Sequence, residues 1–538
     1  MKVSQNWLKS LVEINTTPDD LSEKLSIGGF EVESLIDCSS DVKGVVLGKV
    51  LSVVKHENSD NLSICRVDIG GSNSLQIICG ANNVKANIHV YVATIGTHLS
   101  SIDLTIKKTE IRGVMSEGMI CSLGELGIED KSDGIAIIND EKASKHKLGT
   151  SGALLLDLDD YIYDLAITAN RPDGMSVIGI AREISALLET KLTFPSFKNK
   201  YLININKNFD LCSEAISKNC LYSITHIDSV NGKELSPQWL KDRLGKSGIK
   251  SINLLVDITN YILLEQGQPL HAFDKDKLSK LIGRDVLPED FSVRKAKEDE
   301  SLLCLNGENY ELNENITIIA CDDKPVAIAG IIGGQETSVN NDTSSIYLEG
   351  AVFNPVTIRK SSKEIGIRTE SSSRFEKGIS YKNTLSSVRR AINILEEYFN
   401  ISNAIINSSM ELEDKKILIP LRRKRIHKIL GPLATRKDEF NTNNQIIKRN
   451  LSDTEIADKL RLIGCTLINK EYGWDVEVIP NRSQDLLREI DLIEEIARLV
   501  GYDMFDLNLP NPIKPGKLSP AQASLRKLKS GFIDIGFN

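Results

Sequence analysis

Apolar and polar positions change rhythm several times along the chain, and each change marks a unit. Over residues 1–38 the stripe Trp7, Leu8, Leu11, Val12 has helical spacing. Thr17-Pro18-Asp19-Asp20 then supplies a cap, a Pro at the first helical position and early acids. Leu21 and Leu25 face inward, Gly28-Gly29 ends this second helix, and Phe30-Glu31-Val32-Glu33 alternates as a strand. From Val45 to Leu126 the period falls to two. VVLGKVLSVVKH, LSICRVDIG, SLQIICG, IHVYVATIG and IDLTIKKTEIRG are alternating runs separated by Gly, Asn and Ser turns. Five short strands in about a hundred residues predict a small closed barrel of the OB type.

Beyond the barrel the pattern repeats itself. YDLAITANRPDGMSVIGIAREISALLE (163–189) and WDVEVIPNRSQDLLREIDLIEEIARLVGYD (474–503) both run strand, Asn-Arg, acid, then a helix carrying Ile-Ala-Arg. Upstream, LSEKLSIGGFEVE (21–33) lines up with IADKLRLIGCTLI (456–468). This predicts a duplicated helix–strand–strand–helix unit whose first copy is split by the barrel. The expected fold class is multidomain α+β. It has an OB-type β-barrel inserted into a small α/β domain, a central mixed α/β domain and a second copy of the small, winged-helix-like domain. The boundaries read as 1–38 and 151–205 for the split domain, 39–150 for the barrel and 206–405 for the central block. The second copy takes 406–510, with the polar stretch TRKDEFNTNNQ (435–445) as a surface insertion. Residues 511–538 begin a further domain that the sequence stops inside.

Length and composition change this picture little. A chain of 538 residues exceeds a single core, with roughly three to five domains the prior. Hydrophobic content of 41% and charged content of 26% describe an ordinary soluble protein, with no apolar run long enough for a membrane span. Nine cysteines without a C-x-x-C pair point to reduced thiols in a cytoplasmic compartment, not to a zinc site. A net charge of −8 confines any RNA contact to local patches, and 5% aromatics argues against extensive base stacking.

Several stretches carry candidate chemistry. In VDITNYILLEQGQPLHAFD (256–274) an alternation passes through Thr259, Asn260 and Tyr261, then breaks at Gly267 and Pro269. The turn presents His271 at the lip of a pocket, or as a structural histidine bonded to backbone. Ala329-Gly330-Ile331-Ile332-Gly333-Gly334 follows a buried strand and permits close approach of a ligand, without the Lys and Ser/Thr of a P-loop. Glu349 ends a β run in apolar company, which is costly without a hydrogen-bond partner. Arg368, Arg374 and Lys377 form either a basic cluster for a nucleic-acid end or a solvated loop. Asp491, Glu494 and Glu495 share one helix face, as a solvated face or as metal ligands. Lys107, Lys108 and Arg112 give the barrel a basic edge suited to phosphate contact.

Two levels of resemblance attach to these residues. HENSDNL (56–62) and RGVMSEGMICSLGELG (112–127) resemble the tRNA-binding OB domain of several aminoacyl-tRNA synthetases, with Glu57 and Ser59 where that loop usually has Pro and Ala. From end to end, MKVSQNWLK, TANRPD, TNYILLEQGQPLHAFD, AGIIGG, LEGAVF, RTESSSRFEKG and DLIEEIARLVGYD resemble the β subunit family of bacterial phenylalanyl-tRNA synthetases, in that family's order. The resemblance implies a ligase component that binds tRNA(Phe) and joins a catalytic α subunit in an α2β2 tetramer. It also implies ATP use by the whole enzyme and hydrolytic editing of mischarged Tyr-tRNA(Phe) in the central block. Glu349 would accept from the tyrosine hydroxyl. His271, Thr259 and Asn260 would hold the ester and the attacking water, and Ala329 and Gly333 would line the wall. Asp485, Asp491, Glu494 and Glu495 match the family's Mg2+ position at the contact with α. A stand-alone tRNA deacylase and a non-catalytic RNA-binding assembly factor are the competing readings.

Overall fold

The computed structural model describes residues 1–129, 131–196, 201–205, 209–211, 221–401, 404–410, 416–434, 448–506 and 516–537. The polar stretch 435–445 and part of the region around residue 511 lie outside them. The chain is a multidomain α+β protein; the barrel and the last three-stranded sheet have apolar clusters of their own, whereas the N-terminal three-stranded sheet shares one core with the central block.

Lys2–Ser4 and Glu31–Asp37 pair antiparallel on either side of Tyr161–Ala166. The intervening chain leaves this sheet after Asp37 and returns to it at Tyr161. Ser4 caps the first helix and Thr17 the second, Pro18–Ile27, by accepting from Trp7 N and Asp20 N. Between those halves, Val45–Lys55, Ser63–Asp68, Leu75–Cys79 and His89–Thr94 form an antiparallel sheet. The fifth alternating run does not continue it. It breaks into Leu104–Thr105 and Thr109–Ile111, and Gly118–Ile120 pairs with His89–Thr94 instead. The physical reason is burial: Leu104 is exposed, whereas Gly118 and Ile120 are buried. Ser116 Oγ accepts from Ile78 N at 3.1 Å and Glu117 N donates to Gln76 O at 2.8 Å, so the barrel nearly closes.

The central block holds two five-stranded sheets. One has the order Ile203–Ile205, Ile406–Ser408, Leu221–Ile227, Ile346–Val352, Leu270–Asp274. The other runs Asp210–Leu211, Phe291–Lys295, Thr317–Cys321, Lys324–Ile328, Ile332–Gly333. Phe273, Phe291, Tyr347, Ile318 and Ile319 belong to one core that the two sheets share. Helices Leu254–Gln266 and Tyr381–Leu395 bury their apolar faces in another core, with Leu348 and Val352 of the first sheet.

The stretch read as an alternation before Gly267 is a helix, Leu254–Gln266, capped by Asn253. Its residues are apolar on nearly every side because both faces are covered, and a helix buried all round loses its 3.6 periodicity. Gly267 ends it with φ +75°, a left-handed conformation that glycine adopts without strain. Leu418–Arg422, Gly473–Glu477 and Thr466–Lys470 form a last three-stranded sheet packed by Asp453–Leu462 and Glu489–Val500. No helix among the described residues is long and apolar enough to cross a membrane.

Candidate active site

His271 and Glu349 lie 78 positions apart in sequence and directly opposite each other in the sheet, as paired residues of neighbouring antiparallel strands. Paired residues project to the same face with Cβ atoms about 5 Å apart. Both line one hollow of about 190 Å³. Ile319, Ala327, Ile328 and Gly333 form the facing wall, while Leu305 and Phe375 lie along its sides. Apart from the acid, the imidazole and Ser371, the side chains around it are apolar.

Glu349 is 6% exposed, sits at the centre of a fully buried strand, and burial pushes its carboxyl from 4.5 up to about 8. Burial drives the His271 imidazole the other way, from 6.5 down to about 4. At neutral pH the acid is therefore protonated and the ring neutral. His271 Nε2 is buried with no hydrogen-bond partner, and the ring stacks edge-on against Phe273 at 4.5 Å between centroids. A buried nitrogen left unpaired costs free energy, which a hydrogen-bonding ligand would recover. Gly333 is required here: a Cβ at this position would stand 2.5 Å from His271 Cε1 and 2.7 Å from Nε2.

Not every expected residue joins them. Thr259 and Asn260 lie on Leu254–Gln266 and do not line the hollow; Thr259 Oγ1 donates back to Val256 O at 2.7 Å. Once that segment is helical, a turn of helix and not a pleat decides which way its side chains point. Ala329 is fully buried behind the wall, its N–H on Thr317 O at 3.0 Å, between the lining residues Ile328 and Gly330. Leu305, Phe375 and Ser371 were missed, since an apolar or small side chain carries no sequence signal of its own.

Burial, with the Arg368 and Arg374 charges nearby, pushes the Lys377 ammonium down, yet the three do not make one exposed basic patch. Arg374 is buried and its Nε donates to Met175 O at 3.1 Å; Lys377 Nζ donates to Ile167 O at 2.5 Å; Arg368 stays exposed. Two of the three therefore anchor the central block to the loop ahead of Val177–Leu188. In the barrel, Lys108 pairs with Glu117 at 2.9 Å and Arg112 donates to Asn58 O at 3.0 Å. Lys107 has no ion-pair partner among the described residues and stands at the edge of a cavity of about 480 Å³.

The four expected metal ligands do not converge either. Arg482 binds both Asp485, at 2.6 Å, and Glu495, at 2.9 Å. Asp491 accepts from Arg488 N at 2.8 Å as a helix-start cap, and Glu494 is exposed. Burial opposes ionisation of Glu495, yet the Arg498 and Arg482 guanidiniums hold its carboxyl far below the usual range. At Asp485 burial wins and raises the pKa in spite of Arg482. Among the described residues no group of three or more His, Cys, Asp or Glu is placed to hold a metal ion. As arranged, these four do not fit a common Mg2+. Their arginine partners were the missing signal: Asn-Arg-acid marks a buried ion pair in both stretches, Arg171–Asp173 at 2.9 Å and Arg482–Asp485. Arg498 bridges the two units by contacting Glu183 and Glu495.

Three family models match the chain in the places where these features lie. "Putative tRNA binding domain" matches residues 45–146, "B3/4 domain" 218–400 and "tRNA synthetase B5 domain" 419–502. The phenylalanine–tRNA ligase beta subunit of Prochlorococcus marinus subsp. pastoris (strain CCMP1986) is 80% identical over 538 residues, all of this chain and 66% of that protein. The chain belongs to the phenylalanine–tRNA ligase β-subunit family. Its counterpart in Prochlorococcus marinus (strain MIT 9312) is 73% identical over all of this chain and 65% of that protein. The chain thus spans just under two thirds of the length of these relatives. Among solved structures, an N-terminal fragment of the phenylalanyl-tRNA synthetase beta-subunit from Pyrococcus horikoshii matches 64% of this chain and 88% of that one. Its identity is 15% and its TM-score 0.32, too low to bear on the fold. In this β-subunit family member, the hollow holding His271 and Glu349 lies wholly inside the B3/4 match, and the Arg482 pairs lie inside the B5 match.

Proposed function

We propose that this chain serves phenylalanine–tRNA ligase as its proofreading and tRNA-binding part, and that the His271–Glu349 hollow hydrolyses Tyr-tRNA(Phe). The observation that carries the reading is a buried, uncharged carboxyl beside an unpartnered imidazole nitrogen on one wall of an apolar hollow.

A phenylalanine pocket cannot strongly reject a ligand that merely adds a hydroxyl; that discrimination is about a hundredfold. A second pocket whose buried polar group is satisfied only by the hydroxyl reverses the preference, because phenylalanine leaves that group unpaired. Neutral Glu349 suits this role: its carbonyl oxygen accepts from the phenol and its O–H can donate to it. The 190 Å³ volume matches one aromatic side chain, well below the roughly 300–1,000 Å³ of drug-sized sites. A neutral His271 of low proton affinity is a weak general base. It instead orients a water or the ester by hydrogen bonding at Nε2, so rate comes from positioning. Gly333 leaves room for that ring.

In this reading the barrel, 39–150, contributes tRNA contacts through Lys107, aided by Lys108 and Arg112. It is inserted into a small domain formed by 1–38 and 151–205, of which 406–510 is a second copy. The central block 206–405 is the editing domain. The amino-acid-charging site belongs to the α subunit, in an α2β2 cytoplasmic enzyme that uses ATP with Mg2+. Asp485 and Glu495 have their oxygens committed to arginines and serve as ion-pair partners in this reading. The test is to mix the chain with Tyr-tRNA(Phe) and Phe-tRNA(Phe): preferential release of tyrosine supports the reading, and no release above background defeats it.

A further inference from the structure

Three parts of the chain meet around a polar recess: the Pro172–Met175 turn with the helix Val177–Leu188, the turn at Gln266–Gln268 with Arg374 to Asn383, and Asn481 with Gln484. Two adjoining cavities make it up, one of about 30 Å³ and one of about 240 Å³, sharing Gln266, Asn383 and Asn481. Arg374 lines the first and Arg182 the second.

These two guanidiniums differ from the other buried arginines nearby. Arg171, Arg482 and Arg498 each bind two carboxylates. Arg374 is 2% exposed and its Nη2 has no hydrogen-bond partner; Arg182 Nη1 is likewise buried and unpartnered. Glu370, which pairs with Arg374, has a largely solvent-exposed side chain. Burial pushes both Arg374 and Arg182 down. By contrast, burial is outweighed by the neighbouring carboxylates at Arg171, Arg482 and Arg498, which are raised. Asp173 does line the smaller cavity, but two bonds of 2.9 Å commit it to Arg171. Glu183 is similarly committed to Arg171 and Arg498.

We infer that the larger cavity of this recess is a binding site for a phosphate-type anion, held by the unpaired guanidinium N–H group of Arg182. Phosphate accepts from several directions at once and pairs well with planar guanidinium forks. The Asn383, Asn481 and Gln266 amides add neutral polar groups to the same walls. Because the site joins three parts of the chain, an anion there would also fix their mutual arrangement. Free orthophosphate and the terminal phosphate of a larger ligand share this chemistry. The inference does not depend on what the His271 hollow does.

The experiment is thermal unfolding of the 538-residue chain in increasing orthophosphate, against chloride at matched ionic strength, for the natural protein and Arg182→Gln. We expect a saturable rise in Tm with phosphate only, and a half-saturation at least ~tenfold higher in Arg182→Gln, the size of one lost charge-assisted hydrogen bond. A 5′-mononucleotide run in parallel identifies the source: a stronger, Arg182-dependent effect points to a terminal phosphate, and a weaker one to the free ion. No phosphate-specific rise, or an equal rise in the variant, overturns the inference. If Arg182→Gln does not fold, crystals of the natural chain soaked in selenate decide. An anomalous peak within hydrogen-bond distance of Arg182 Nη1 supports the site, and none there overturns it.

Discussion

Replacing Glu349 by Gln removes a proton-binding group while keeping its shape, so it isolates what burial does to this acid. In the folded chain the carboxyl stays protonated up to about pH 8, whereas in the unfolded chain it ionises near 4.5. Folded protein therefore binds the extra proton between those values. The stability that the protonated acid retains is complete below the lower value and is lost as pH rises through the upper one. At 1.36 kcal/mol per pKa unit, the full loss is roughly 5 kcal/mol, and a little over half of it falls between about pH 6 and about pH 9. His271 has the opposite sense: its pKa lies at about 4 when folded, so its contribution is lost as pH falls below 6.5. It changes only at the low end of the interval from about pH 6 to about pH 9, and equally in both proteins. Urea unfolding of both proteins at the two pH values, followed by fluorescence, gives the difference directly. Other titrating groups cancel in the comparison. Glu349→Gln is expected to gain about 3 kcal/mol on the natural chain over that interval. A stability gap independent of pH would mean that the carboxyl is ionised in the folded state, and the neutral-acid argument would fall.

Other expectations follow from the same geometry. Gly333→Ala places a Cβ against the His271 ring; about 1–3 kcal/mol of stability and most Tyr-tRNA(Phe) hydrolysis should be lost, measured by melting and by deacylation. Arg498→Ala deprives buried Glu183 and Glu495 of a shared partner and should cost about 3–5 kcal/mol in chemical denaturation. Lys107→Ala should weaken tRNA binding equally across sequences and lower the slope of log affinity against log salt by about 1, read by filter binding.

How much of this was legible beforehand depended on what kind of signal each residue gave. His271 and Glu349 stood out because an imidazole after a Gly-Gln-Pro break and an acid in a β run are both out of place. The strand register that sets them face to face joins segments far apart, and no local pattern encodes it. Thr259 and Asn260 were misplaced because a helix covered on both sides has no amphipathic period. The fifth barrel run misled for a related reason: IDLTIKKTEIRG alternates, but its apolar positions are not all buried, and Gly118–Ile120 closes the sheet instead. The repeated Asn-Arg-acid signature was visible in both units. Its meaning, arginines of the second stretch reaching back to Asp173 and Glu183 of the first, was not, since pairing across some three hundred residues is a property of packing alone.

The proofreading claim meets its most direct test in the rates at which tyrosine and phenylalanine are released from tRNA(Phe), compared for the natural chain, Glu349→Gln and Glu349→Ala with the α subunit present. The account predicts that the natural chain and the Gln variant release tyrosine far faster than phenylalanine, and that the Ala variant loses this preference by about a hundredfold or more. Tyrosine release by Glu349→Ala at the natural rate and selectivity would contradict it.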